Sequence, residues 1–187
     1  MKVSFWGILL FIFTIGRVSA ADVIFENYTE DTTRGWRHVS KAFAKALMTH
    51  ERKKQDLTGY EQLDEIPRDP STRLVWKAVP VSLGGEKIMY VRPTLDPYFA
   101  PFYGTHQFQH WLVLNGQILY EGSSDIFQIL GAEHSGMRVL AETECTAITC
   151  YTTQFLFNPK TQHFEAGACS STRISDGTNL GDCKKPD

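Results

Sequence analysis

The chain has 187 residues, with 19 lysines and arginines against 21 aspartates and glutamates, which gives a net charge of −2. A chain of this length fits one domain and can bury a real hydrophobic core. Its mildly acidic balance argues against a nucleic-acid partner, because nucleic-acid binders carry a basic footprint.

The first twenty residues have the pattern of a secretory signal peptide. Lys2 precedes a short apolar core, and Val18-Ser19-Ala20 supplies the small residues of a cleavage site. The apolar core is too short to span a bilayer, and no later apolar run approaches membrane length. Lys2 and Arg17 are the only charged residues among residues 1–20, so cleavage takes the net charge from −2 to −4. We therefore expect a periplasmic or secreted domain over residues 21–187, with no membrane partner.

The segment from Arg34 to about Arg52 predicts an amphipathic helix that follows a polar, irregular lead-in. Thr33 is the expected N-cap, because its side chain can accept from the first free N–H groups of a helix. The apolar face has helical spacing and comprises Trp36, Val39, Phe43, Ala46, Leu47 and His50. The opposite face carries Arg37, Lys41 and Lys45, a pattern typical of a solvated face and, alternatively, of a site for an acidic partner.

The strongest turn signal is Asn115-Gly116, which lies between two apolar runs. The turn predicts that Val113 faces Ile118, and in the same register it pairs Leu112 with Leu119, Trp111 with Tyr120 and His110 with Glu121. Both faces of this hairpin are then apolar, so we expect it at the middle of the fold.

Two further turns and two separate segments predict the other strands. Gly84-Gly85 predicts a hairpin that pairs Val81 with Ile88 and Val79 with Tyr90. The turn at residues 158–161 predicts one that pairs Phe155 with Phe164. Residues 125–130 and 137–144 are the other expected strands. The sequence therefore predicts an α+β fold, with one N-terminal helix packed on a largely antiparallel sheet of about seven or eight strands.

Four cysteines, an even number in an exported chain, predict two disulfides: Cys145, Cys150, Cys169 and Cys183. Their spacing does not favour zinc. We expect Cys145 to pair with Cys150 and Cys169 with Cys183, since each pair is close in sequence and the second pair pins the C-terminal tail. The alternative pairs Cys150 with Cys169, which the turn at residues 158–161 places opposite each other, and leaves Cys145 for Cys183.

Catalytic and metal-binding motifs are missing from the sequence. It contains no nucleophile elbow, no P-loop and no dinucleotide fingerprint. His106 and His110 have the spacing of a helical zinc pair, but on a strand four steps separate the rings by roughly 13 Å. We therefore expect a protein that is not an enzyme and that holds no cofactor and no metal.

The most specific local feature is the loop Cys145-Thr-Ala-Ile-Thr-Cys150, between two strands. Its uncharged residues could enter a narrow cleft without stripping water from a charge, so Thr146, Ala147, Ile148 and Thr149 are the candidate partner-binding residues. A plain stapled hairpin end is the structural alternative. A second possible site binds a small molecule or a glycan through the aromatics Tyr98, Phe99, Phe102, Tyr103 and Trp111, with His106 and Glu121 as polar partners.

Residues 138–168, with a strand, the C-x4-C loop, a strand, a turn and a further strand, resemble the Ivy family of periplasmic lysozyme inhibitors. The resemblance implies that the closed loop plugs the active site of a hydrolase. The loop of that family carries a histidine and an acid, which Thr146–Thr149 lack. The expected partner is therefore a peptidoglycan-acting hydrolase in the broader sense, or a toxin effector. Size and export pattern are also similar to those of immunity proteins against cell-wall-degrading effectors.

Overall fold

The structure, a computed structural model, describes residues 23–104 and 107–183. The predicted signal peptide and His106 lie outside these residues. In the described part of the chain, no helix is long and apolar enough to cross a membrane.

Two antiparallel sheets and one main helix make up the fold. The helices are α1 (Lys41–Lys54) and the short α2 (Thr58–Gln62), and the strands are β1 (Val23–Tyr28), β2 (Arg37–His38), β3 (Leu74–Pro80), β4 (Lys87–Pro93), β5 (Phe108–Leu114), β6 (Gln117–Ser124), β7 (Ile126–His134), β8 (Met137–Cys145), β9 (Thr149–Asn158), β10 (His163–Arg173) and β11 (Asn179–Asp182). One sheet has the order β1-β7-β8-β9-β10-β11 and the other has the order β2-β3-β4-β5-β6.

The predicted α+β class is confirmed, but the prediction of one sheet with seven or eight strands is wrong. Six strands form one sheet and five form the other. Only Asp125 separates β6 from β7, so the chain passes directly from one sheet to the other. The expected irregular lead-in is also wrong in part, because β1 pairs with β7 at the edge of the six-stranded sheet.

Two hydrophobic cores hold three layers together. Between the sheets, Tyr90 of β4 stacks on Phe127 of β7 with ring centroids 4.9 Å apart, in a cluster of twelve buried residues. Between α1 and the five-stranded sheet, Trp111 and Leu47 belong to a second buried cluster. Burying one large apolar side chain contributes roughly 1.5–3 kcal/mol, so each core stabilises the two layers between which it lies. The central hairpin of β5 and β6 is covered on both faces, as the sequence predicts.

The register of the central hairpin differs from the prediction beyond its first pair. Asn115 and Gly116 have φ angles of 51° and 81°, which the predicted turn requires. Val113 faces Ile118, as expected, but a bulge between Leu112 and Val113 then shifts the pairing, so that Leu112 faces Tyr120, Trp111 faces Glu121 and His110 faces Gly122. Trp111 and Tyr120 therefore lie on opposite faces of the sheet.

The other two hairpins also differ in register. Val79 faces Ile88, whereas the prediction paired Val79 with Tyr90. On β9 and β10, Phe164 faces Phe157, where Phe155 was expected. In both hairpins the offset at these pairs is two residues. The predicted faces of the strands are therefore kept while the partners change.

Helix α1 starts at Lys41, seven residues later than predicted. Gly35 has a φ of 81°, which a helix does not tolerate. Ser40 rather than Thr33 is the N-cap, and its side chain accepts from the Phe43 N–H at 3.2 Å. Four residues of the helix are buried: Ala44, Leu47, Met48 and Glu51. Trp36 packs instead against the core between the sheets.

Candidate functional site

The loop between β8 and β9 is closed by a disulfide between Cys145 and Cys150, whose Cα atoms are 4.0 Å apart. The second disulfide joins Cys169 and Cys183, so the preferred pairing is confirmed. The alternative pairing fails because the two-residue register offset of this hairpin and a bulge in β10 together place Cys150 opposite Thr172 and not opposite Cys169.

Hydrogen bonds inside the closed loop fix its backbone. The Thr146 side-chain oxygen accepts from the N–H of Ile148 at 3.4 Å and from that of Thr149 at 3.0 Å. The Thr146 N–H donates to the Thr149 carbonyl at 2.8 Å. A loop ordered by its own side chain loses little further entropy when it binds a partner.

The loop presents an apolar side chain to solvent. Ile148 is 72% exposed, the highest value for a large apolar side chain among the described residues, while Thr146 and Ala147 are exposed and Thr149 is half-buried. Beside it stands Ile174, 51% exposed, whose N–H donates to the Ile148 carbonyl at 3.0 Å. We call Thr146–Thr149 together with Ile174 the tip.

Sequence reasoning did not identify Ile174 as part of this surface. It lies directly after β10, in a segment that the sequence predicts to be a polar tail. There the Arg173 N–H donates to the Thr178 carbonyl, and the Cys183 N–H donates to the Cys169 carbonyl. The one signal in the sequence is an isolated β-branched apolar residue between Arg173 and Ser175. The second disulfide thus supports the segment that carries Ile174.

Acidic side chains stand at the base of the tip. An Asp125 carboxylate oxygen accepts from the Cys145 N–H at 2.5 Å. Burial, followed by the charges of Glu142 and Asp125, raises the pKa of Glu144, although a hydrogen bond from Gln107 opposes this effect. Carboxylates therefore stand below the uncharged tip, while the cation Arg173 borders it next to Ile174.

His110 pairs with Glu142 across the two sheets, not with Glu121 across the hairpin as predicted. His110 is fully buried, and its Nε2 lies 2.8 Å from Oε1 of Glu142. Its Nδ1 lies 3.3 Å from the Phe108 carbonyl, so both ring nitrogens face acceptors. Burial, followed by the Glu142 charge, raises the pKa of Tyr120, so its hydroxyl stays protonated here.

Glu121 lies instead under α1, in a polar cluster around the buried carboxylate of Glu51. Glu121 contacts Lys54 and lies 3.1 Å from His50 Nε2. Glu51 is 1% exposed and accepts from the Trp111 indole N–H at 3.2 Å. Further bonds to Glu51 come from the amides of Gln55 and Gln109, at 2.9 and 2.8 Å.

This cluster is also where a metal ion could bind. The potential ligand atoms of His50, Glu51 and Glu121 lie within 4.8 Å of one another, the one such group found in the described ranges. The Lys54 ammonium already contacts Glu121, and protein donors already satisfy Glu51. The group is therefore complete as an ion-pair and hydrogen-bond cluster.

The structure divides the residues of the second possible site between two places. Phe99, Phe102 and Trp111 pack together in the buried core under α1, with ring centroids 4.9 Å apart for Phe99 and Phe102 and 5.4 Å apart for Phe102 and Trp111. Trp111 is fully buried under α1, next to Glu121. Tyr103 lies before β5, is half-buried and stacks on Tyr98, with ring centroids 4.7 Å apart. His106 lies outside the described residues. Tyr98 and Tyr103 instead line an open groove of about 420 Å³ together with Tyr28.

Comparisons with protein-family models, with curated proteins and with solved structures find no match for this chain. The resemblance to the Ivy family therefore stays a prediction. Independently of it, the disulfides are consistent with an extracellular or periplasmic protein, because such bonds persist in oxidising compartments.

Proposed function

We propose that this protein is an exported inhibitor, in the periplasm or secreted, that inserts its tip into the active-site cleft of a peptidoglycan-acting hydrolase. The hydrolase is either an enzyme of the cell wall or a toxin effector against which the protein gives immunity. The observation that carries the proposal is the exposed Ile148 on a disulfide-closed, internally hydrogen-bonded loop.

The chemistry of the tip suits insertion into a cleft. A rigid apolar anchor at the centre of an interface supplies much of the binding energy when it fills a pocket. The tip residues carry no charge, so burying them strips no water from an ion. Ile148 and Ile174 lie side by side, which gives the tip an apolar edge wider than one side chain.

Glycan hydrolases are the proposed targets because their clefts are built to admit a narrow chain. Their catalytic carboxylates stand on either side of the bond to be cleaved, and a loop between them excludes substrate. The resemblance to the Ivy family and the predicted export support the same partner class.

The test is inhibition of a panel of purified peptidoglycan-acting hydrolases, including lysozymes and amidases, acting on cell-wall substrate. Inhibition of at least one hydrolase is expected. Ile148→Asp should raise the half-inhibitory concentration at least about tenfold, since a lost anchor commonly costs more than about 1.4 kcal/mol.

Leu63→Asp is the matched control, because Leu63 is 69% exposed and lies far from the tip in sequence, next to α2. This variant should inhibit as well as the parent protein. The proposal fails if no hydrolase in the panel is inhibited, or if Ile148→Asp inhibits as strongly as the parent protein.

A second candidate function is glycan binding in the groove lined by Tyr28, Tyr98 and Tyr103. Tyr98 is 52% exposed and stacked on Tyr103, so its ring is held in a fixed orientation. Aromatic faces in a groove are a common platform for small ligands. Tyr98→Ala should abolish binding of a soluble peptidoglycan disaccharide, measured by calorimetry, while leaving inhibition by the tip intact.

A further inference from the structure

A second groove, of about 670 Å³, lies beside the edge of the five-stranded sheet, apart from the tip. Its lining comes from the segment before β2 and from β2, β3 and β4: Arg34, Gly35, Trp36, Arg37, Trp76, Lys77, Ala78, Lys87 and Met89. Strand β2 pairs with β3 only at Val75 and Trp76, so β3 is an uncovered edge from Lys77 onward. The groove therefore has an open strand edge as one wall.

Four of the nine lining residues are cations, and none is an acid. Arg34, Arg37, Lys77 and Lys87 are all exposed. None of these four forms an ion pair with a carboxylate in the part of the chain that the structure describes, where the ion pairs involve other cations. The nearest acid in sequence, Glu86, does not line the groove. A concentration of four positive charges is thus left unneutralised on a protein that is acidic overall.

Aromatic rings hold two of these cations in place. The Arg37 guanidinium carbon lies 5.6 Å from the centroid of the Trp76 ring. The Lys77 ammonium lies 5.8 Å from the Trp36 ring and 5.7 Å from the Phe25 ring. A cation over a ring face is attracted by the quadrupole of the ring and keeps its full charge. The groove therefore presents positioned cations that form no ion pair with any carboxylate of the described residues.

We propose that this groove binds a small, multiply charged phosphate compound. A phosphate offers several acceptor oxygens to the planar fork of an arginine and a concentrated negative charge to the two lysines. The volume of the groove falls within the range of small-ligand sites. The shared chemistry is a phosphate or diphosphate group, whether free or carried on a sugar.

Nucleic acid and membrane surfaces fit the observations less well. A nucleic-acid backbone is recognised by a longer basic track, and the rest of this chain is acidic. Proteins that bind membrane surfaces project their tryptophans into the lipid. Here Trp36 and Trp76 are half-buried, and cations of the protein itself lie over their rings.

The test is calorimetric titration of the purified protein with inorganic tripolyphosphate at low and at moderate salt. Binding is expected at low salt and should weaken as salt rises. The double variant Arg37→Gln/Lys77→Gln should bind at least about tenfold more weakly. The second pair, Arg34→Gln/Lys87→Gln, removes cations without touching the ring contacts and should weaken binding in the same direction.

The control is Lys45→Gln/Arg68→Gln, because these two cations line a separate groove beside α1 and also form no ion pair with any described residue. The control should bind within about twofold of the parent protein. Three results would each overturn the proposal. The first is no binding at millimolar tripolyphosphate, and the second is equal weakening in the control. The third is binding to phosphatidylglycerol vesicles or to single-stranded DNA without binding to tripolyphosphate.

Discussion

Gly122 is the point where β6 comes closest to the carboxylate of Glu142 on the opposite sheet. A Cβ placed there would lie 1.7 Å from Oε1 of Glu142 and 2.8 Å from the Tyr120 hydroxyl. Because Glu142 is buried between the sheets and paired with His110, its carboxylate has little room to move aside. Position 122 therefore requires glycine because the Glu142 side chain lies too close to leave room for a Cβ, and not because of the backbone angles there.

We expect Gly122→Ala to lower the free energy of unfolding by about 1–3 kcal/mol, the usual cost of overpacking a core. The reason is that the added methyl group displaces Glu142 from His110. Urea titration measures the change. Gly59→Ala is the matched control, because no atom lies within 4 Å of a Cβ at that position in α2. That control should be neutral or slightly stabilising, and equal destabilisation of the two variants would contradict the role assigned to Gly122.

Glu51 is a buried residue of α1 that accepts hydrogen bonds from the central hairpin. We expect Glu51→Ala to cost about 2–4 kcal/mol, since it leaves the buried indole N–H of Trp111 without its acceptor and leaves Gln109 with Glu121 alone as carboxylate acceptor. Glu51→Gln keeps the shape and one acceptor oxygen, so it should cost less. Thermal unfolding of both variants compares them. A loss in Glu51→Gln as large as that in Glu51→Ala would contradict the role assigned to the retained acceptor oxygen.

At the scale of elements, the start of α1 differs from the start that the apolar periodicity predicts: Ser40 is the observed N-cap and Thr33 is the expected one. Ser40→Ala should destabilise the protein by about 1 kcal/mol, because its side chain caps the Phe43 N–H. Thr33→Ala, at the cap expected from the sequence, should leave stability almost unchanged. Urea titration distinguishes the two sites. If Thr33→Ala were the more damaging variant, the helix would begin where the apolar periodicity begins.

Element types were more predictable than their partners. Asn115-Gly116 predicts a hairpin because a two-residue turn has one geometry, and that geometry is local. The bulge between Leu112 and Val113 moves every later pair, yet no residue type marks it in the sequence. Likewise, the apolar spacing from Trp36 to Leu47 is continuous, although Trp36 packs against the core between the sheets and Leu47 packs between α1 and the five-stranded sheet.

The candidate site shows the same division. The closed loop could be found from the sequence because its two cysteines are five positions apart. Ile174 and the cationic groove could not be found, since their members come from segments that only the folded sheets bring together. At the scale of the whole molecule, the chain passes from the five-stranded sheet to the six-stranded sheet at Asp125, between β6 and β7. The sequence around Asp125 carries no signal of this change of sheet, so the division of the strands into two sheets could not be predicted.

The layers of the molecule place two carboxylates, Glu121 and Glu144, in surroundings that shift their pKa values in opposite directions. Lowering the pH should therefore change their contributions to stability in opposite directions. Between α1 and the sheet, burial alone would raise the pKa of Glu121, but Lys54 and His50 beside it hold that pKa below its usual value. At the end of the space between the sheets, burial and then the charge of Glu142 raise the pKa of Glu144. A lowered pKa stabilises the folded state above the unfolded value of about 4.3, and this stabilisation is lost as the pH falls through the folded value. A raised pKa destabilises the folded state at neutral pH, and this cost disappears below about pH 4.3.

We therefore expect Glu121→Gln to be less stable than the parent protein at pH 7, with the difference vanishing as the pH falls through the lowered pKa of Glu121. Glu144→Gln should be more stable than the parent at pH 7, and its advantage should shrink as the pH falls through the raised pKa of Glu144. Urea midpoints measured between about pH 3 and pH 7 follow both trends, because this pH range brackets the pKa of a glutamate in the unfolded chain. Glu30→Gln is the control, because Glu30 is exposed and forms no ion pair with the residues described, and it should follow the parent at every pH. If the Glu121 and Glu144 variants shifted stability in the same direction at pH 7, net charge and not the local surroundings of each carboxylate would control the acid response.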